Sequence, residues 1–164
     1  MERKYILSAD KAMMKLRRMA FEVIERNSTE KQLVLAGIKG NGLDIAKILE
    51  SILKEISNFE IELVLIDIDK QNPLNCEMAN DADFKEKVVI VIDDVVNSGK
   101  TLLYGLLPLL KRSPKKIETL TLVERSYKTN PVHVDYVGIS LATTFHDHIF
   151  VEVKDGQLGG AYLQ

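Results

Sequence analysis

An α/β fold, with a mostly parallel twisted sheet flanked by helices, is what this sequence predicts. Short, continuous apolar runs such as LVLAGI (33–38) and VVIVID (88–93) read as strands covered on both faces, because a strand with one wet face would alternate. Segments with the three-to-four spacing of a one-sided helix intervene between such runs. The turns GIKGNG and DVVNSG stand between strand and helix. In a parallel sheet made of right-handed βαβ units these turns lie at the carboxyl ends of the strands, where ligands bind.

From Ala12 to Ile24 the residues Met13, Leu16, Ala20, Val23 and Ile24 fall on one helical face, with Lys11, Lys15, Arg17, Arg18, Glu22 and Glu25 on the other. Leu33–Ile38 is the first core strand, and Leu43–Ile56 returns to helical spacing. Ile61–Asp69 is the next strand. The polar stretch Lys70–Lys87 shows little periodicity, and a loop of that length in a compact domain is usually functional or disordered. Val88–Asp93 is a second fully apolar strand, leading through DVVNSG into the helix KTLLYGLLPLLKR, which Pro108 bends or interrupts. Ile117–Arg125, Val134–Ala142 and His148–Asp155 complete the strands. The 164 residues are expected to form one domain, 1–164, that buries roughly two thirds of the surface its unfolded chain exposes.

Composition narrows the function classes. With 22 basic against 24 acidic residues the net charge is -2, so no global field recruits nucleic acid. The longest apolar runs, such as TLLYGLLPLL, stop short of a membrane span, and the start MERKYILSADKAMMK lacks the apolar core of a signal peptide. Cys76 is the single cysteine, reads as an incidental exposed thiol, and cannot form an internal disulfide. A cytoplasmic setting is expected.

The stretch DVVNSGKT (94–101) carries the chemistry. Its SGKT ending resembles an ATPase phosphate loop, but that loop needs glycine at position 94, where Asp94 would press a carboxylate against the triphosphate. A strand, two carboxylates and a Ser98-Gly99-Lys100-Thr101 turn opening a helix remain. Such a turn offers backbone N–H groups and a helix N-terminus to one phosphate monoester. Carboxylates just upstream are placed to accept hydrogen bonds from sugar hydroxyls, so the ligand looks like a ribose 5-phosphate.

VVIVIDDVVNSGKT is similar to the phosphoribosyl pyrophosphate (PRPP) motif of the type I phosphoribosyltransferases. The segments LAGIKGNGLDIAK and LVERSYKTNPVHVDYVGISLATTFHDHIFVEV, over about residues 10–153, resemble the branch of bifunctional pyrimidine-operon attenuators and uracil phosphoribosyltransferases. The resemblance implies that fold, with a small hood from the N- and C-terminal segments and a flap at about 67–85. It also implies transfer of ribose 5-phosphate from PRPP to a nucleobase, uracil first, with release of pyrophosphate. Asp93 and Asp94 become the catalytic acids on the ribose, and Asn97, Ser98, Gly99, Lys100 and Thr101 the 5-phosphate site. Lys39, Gly40 and Asn41 take the pyrophosphate, and Tyr136 and Val137, bordered by Arg125 and His133, take the base. Read from the residues alone, Tyr136 fits a core aromatic equally well. Mg²⁺ arrives with PRPP, and Asp93 and Asp94 are the protein groups nearest it.

Two departures from the family pattern are visible. The flap carries acids and asparagines with only Lys70 and Lys85 as bases, and position 97 is Asn, which cannot accept the proton that purine-using relatives give an aspartate there. His146 and His148, flanking Asp147, are too few for a metal site. The alternative reading is a nucleotide-sensing RNA-binding regulator, using Arg3, Lys4, Lys11, Lys15, Arg17 and Arg18, which also read as an ordinary solvated face. The family usually forms homo-oligomers.

Overall fold

The computed structural model describes residues 3–69, 71–79, 81–142 and 147–164; Lys70 and His146 lie outside the described residues. Its centre is a six-stranded sheet of order β4-β3-β2-β5-β6-β7. The strands are β2 (Gln32–Ile38), β3 (Glu60–Ile68), β4 (Cys76–Met78), β5 (Val88–Val96), β6 (Lys116–Arg125) and β7 (Tyr136–Leu141). All neighbours are parallel except β4, which returns antiparallel along β3 with Asp67 opposite Glu77. A separate three-stranded antiparallel sheet, β1-β9-β8, joins β1 (Lys4–Ser8) to β8 (Ile149–Lys154) and β9 (Gln157–Leu163).

Both faces of the parallel sheet are covered, as its unbroken apolar runs require. Leu33, Leu35, Ile90 and Ile92 pack toward helices α1 (Ala9–Arg26) and α2 (Asn41–Ile56) and toward Ile149 and Val151 of the small sheet. Their neighbours Val34, Ala36, Val89 and Val91 pack on the other side, against Leu102, Leu109 and Phe84. The alternation breaks at the two acids, since Ile92 and Val95, three residues apart, pack into the same core. Ser8 caps α1 by accepting a hydrogen bond from the Lys11 N–H.

The helix read over 100–112 is two short helices, α3 (Lys100–Gly105) and α4 (Leu107–Leu110), with Pro108 in the first turn of the second. Proline is tolerated there because that N–H has no intrahelical partner. The strands β1, β4 and β9 escaped the sequence reading. The first two are short, and β9 carries Gly159 and Gly160, which blunt its alternation. The polar stretch after β3 is pinned at its far end by Phe84, which is wholly buried. Arg112 lies over the Phe84 ring, 5.4 Å from its centroid, and donates to the Ala82 carbonyl at 3.0 Å. Phe84→Ala is expected to destabilise the fold by about 3–5 kcal/mol, read as a lowered urea midpoint.

Candidate active site

The carboxyl ends of β2, β3 and β5 open onto a cleft of about 830 Å³, closed on its far side by β8. Two glycines let the parts come this close. A Cβ on Gly37 would stand 2.6 Å from the Leu43 Cα, and one on Gly42 would stand 2.8 Å from the Ile92 carbonyl oxygen. The first turn of α2 is therefore pressed against the ends of β2 and β5. Gly40, with φ 99°, makes the turn into the helix in a conformation that side chains disfavour.

Asp93 and Asp94 stand at the floor of this cleft. Asp93 is nearly buried, and one of its oxygens accepts from the Asp94 N–H at 2.9 Å. Burial first, and then the neighbouring Asp94 charge, push the Asp93 carboxyl well above the usual carboxylate range. Asp94 is fixed from two sides: the Val95 N–H donates to one oxygen at 2.8 Å and the Asn41 side-chain amide to the other at 2.9 Å. Each Asp94 oxygen keeps acceptor capacity for a further donor.

Next to the acids lies a smaller cup lined by Asp93, Asn97, Ser98, Gly99, Lys100 and Thr101. Gly99 is left-handed (φ 79°, ψ -3°), and the loop is braced from outside because the backbone and side chain of Asn130 both donate to the Ser98 carbonyl at 3.0 Å. Helix α3 has only six residues, so its dipole is small, and an anion here would depend on backbone N–H groups more than on the macrodipole. Asn97 has a fixed orientation. Arg125 Nε donates to its Oδ1 at 2.9 Å, and since arginine only donates, the Asn97 NH2 is the part left as a donor.

Lys39 lines the cleft and pairs with Asp67 across it at 2.6 Å. The pair is largely exposed, so it holds the lysine in place more than it stabilises the fold. Cys76, half-buried beside Asp67, has its thiol pushed up by burial and by that charge, which makes it a poor nucleophile.

Tyr136 does not meet the cleft. It begins β7 at the amino end of the sheet, opposite to the ligand side, and its ring is fully buried. Its hydroxyl donates to Glu118 at 2.8 Å, and Asn27 donates to the same carboxylate at 3.0 Å. Burial and Glu118 push the phenol up. Tyr136 is thus a core residue, and the base assignment is corrected. The Val137 carbonyl is likewise engaged, accepting from Arg18 at 2.8 Å. His133 is exposed in the preceding loop, and Arg125 sits under Asn97 with a further bond to the Asp147 carbonyl.

In their place the structure brings Ile149, Phe150 and Val151 to the cleft. Among the described residues β8 is an edge strand. His148 and Gln164 exchange both backbone bonds at 3.0 Å. By antiparallel alternation Phe150 and Glu152 then also bond inward, while Ile149 and Val151 turn their N–H and C=O outward. Val151's carbonyl is taken by Asn41 at 2.9 Å. The sequence showed HIFVEV as a strand, but that it forms the free edge beside the acids follows only from the pairing with the chain's last residues.

The phosphoribosyl transferase domain model matches residues 2–155. The chain belongs to this phosphoribosyltransferase family. Proteins named bifunctional protein PyrR are similar to it: that of Fusobacterium nucleatum is 33% identical, with 93% of this chain and 92% of that protein covered. The one from Staphylococcus carnosus is 36% identical, covering 89% and 90%. Among solved structures, the hypoxanthine phosphoribosyltransferase of Trypanosoma cruzi superposes with a TM-score of 0.80 at 16% identity, covering 98% of this chain and 95% of that one. At that identity the likeness concerns the fold. It is the phosphoribosyltransferase fold, and it places the two acids and the Gly99 turn of this chain at the carboxyl end of a central strand.

The buried acid gives this phosphoribosyltransferase a pH signature. A carboxyl whose folded pKa lies above its unfolded value of about 3.9 binds more protons folded than unfolded. Stability is then present below that value and falls as pH rises through the folded pKa. Asp93→Asn removes the titration, so the variant is expected to melt higher than the wild type at about pH 8 and to match it at about pH 4. Equal melting temperatures at both pH values, followed by circular dichroism, would exclude the buried charge.

Proposed function

We propose that this protein transfers ribose 5-phosphate from PRPP to a nucleobase, uracil in the first place, and releases pyrophosphate. The observation that carries the reading is the juxtaposition of the Asp93–Asp94 pair with the Gly99 cup in one cleft. The cleft and the cup share Asp93, Asn97, Lys100 and Thr101 in their linings, which suits a ligand carrying a diol beside a phosphate. In the transfer the C1–oxygen bond to pyrophosphate breaks, a ring nitrogen of the base bonds to C1, and the nitrogen's proton passes to water or to the departing pyrophosphate.

Asp94, held by Val95 and Asn41, accepts from the ribose hydroxyls and lends negative charge to the sugar ring as positive charge develops there. The Gly99 turn takes the 5-phosphate. Lys39, exchanging Asp67 for the ligand, and the backbone of Gly40 and Asn41 take the pyrophosphate. The base lies against the outer edge of β8, where the Ile149 N–H and C=O form a donor–acceptor pair and Phe150 offers a ring. Asn97 supplies an NH2 donor, suited to a carbonyl oxygen of the base and unable to act as a general base. The segment 67–85 is the lid in this reading.

The site fits Mg²⁺. Adjacent carboxylates with spare acceptor capacity suit a hard cation that keeps most of its own waters, and among the described residues no larger set of ligating side chains gathers. Asp93 and Asp94 would hold it, and it supplies charge neutralisation for the pyrophosphate. A cytoplasmic setting and a homo-oligomer belong to the same reading and rest on family membership alone.

The alternative, an RNA-binding regulator, draws little from the basic face. Arg3, Arg17 and Arg18 are paired with Glu152, Glu55 and Glu22. Incubation with Mg-PRPP and each nucleobase, followed by pyrophosphate release, tests the enzyme reading. Release is expected with uracil, and Asp94→Asn is expected to lower kcat/KM by at least about 100-fold with the fold intact. No release with any base, while uridine or guanine nucleotides raise the melting temperature, would leave the sensor. For the base wall, Phe150→Ala is expected to raise the KM for the base about tenfold at unchanged KM for PRPP, whereas a Val137→Ala protein should keep both.

A further inference from the structure

Asn41 opens α2, and its backbone lies where the pyrophosphate is expected, yet its side chain points elsewhere. The single amide nitrogen donates to the Asp94 carboxylate at 2.9 Å and to the Val151 carbonyl at 2.9 Å. Both of its protons are thereby used. One partner is the sugar-side acid at the end of β5, and the other is the outer edge of β8, the base-side wall. These elements belong to different sheets. Asn41 itself cannot drift, because Gly37 and Gly42 seat the start of α2 against the backbone of β2 and β5, with no room for a Cβ at either position.

We propose that Asn41 is a positioning residue that sets the base-side edge of β8 in register with Asp94, and that it selects which backbone groups of that edge are offered to the base. By occupying the Val151 carbonyl it removes one outward acceptor and leaves the Ile149 pair. The proposal rests on the phosphoribosyltransferase reading for its kinetic consequence, but the strut is a property of the free protein. A side chain that served the pyrophosphate would have its amide free to turn toward the leaving group, and this one is committed twice.

The experiment compares the full-length wild type with Asn41→Ala and Asn41→Leu, the second keeping the bulk while losing both donors and adding no charge beside Asp94. Hydrogen exchange of the ligand-free proteins is the first readout. Within residues 149–153 the inward-bonded amides of Phe150 and Glu152 are expected to exchange at least about fivefold faster in both variants, with the interior of α2 unchanged. Kinetics are the second readout: the base KM should rise about tenfold and kcat fall, while inhibition by pyrophosphate stays within about twofold. Unchanged exchange at 149–153 overturns the strut. Weakened pyrophosphate inhibition at an unchanged base KM overturns it too, and assigns Asn41 to the leaving group. If the wild type transfers ribose 5-phosphate to no base, the functional reading falls while the exchange comparison still decides the strut.

Discussion

The cleft depends on how closely the start of α2 can approach the ends of β2 and β5. Backbone meets backbone there, with the Leu43 Cα and the Ile92 carbonyl oxygen occupying the space that side chains on Gly37 and Gly42 would need. Because the approach is steric, it is rigid in the way packed interiors are rigid. It brings Lys39 and Asn41 beside the acids of β5 and lets one amide reach from Asp94 to the small sheet. Were α2 an ångström farther out, the two sheets would share no polar contact at this point.

Charge is handled differently at the two adjacent acids. Asp93 is withdrawn from water and lies beside another carboxylate, so its ionised form is disfavoured. Asp94 is held by donors on both oxygens. Two like residues thus enter the cleft in different settings, one withdrawn from water and the other held by a donor on each oxygen. Asp67 opposite Lys39 is a third acid at the rim. It holds the lysine in place, and an anionic ligand has to displace it.

Much of the frame was legible in the residues. The apolar runs at 33–38 and 88–93 read as strands buried on both sides, and the breaks at Gly40 and Gly99 fell where helices begin. The strand, acid pair and glycine turn of 88–101 are local in sequence, so their joint geometry follows from neighbours along the chain. Tyr136 shows where that legibility stops. An aromatic beside Asp135 and Val137 reads the same whether it faces a ligand or a core. Its place was settled by α1 covering it and by Glu118 and Asn27 meeting its hydroxyl from distant positions.

The strands apolar on both faces, the Gly99 turn and the paired acids could be read from the residues, because each is written in a short run of neighbours along the chain. The wall that β8 gives the cleft could not be read that way. β8 borders the cleft because the last residues of the chain pair with it on one side and with β1 on the other. Its outward backbone groups are presented by that pairing and are the same for any side chain. A backbone edge leaves no mark in residue identity, and the amide of Asn41 that fixes it reveals its direction only once Asp94 and Val151 stand on either side of it.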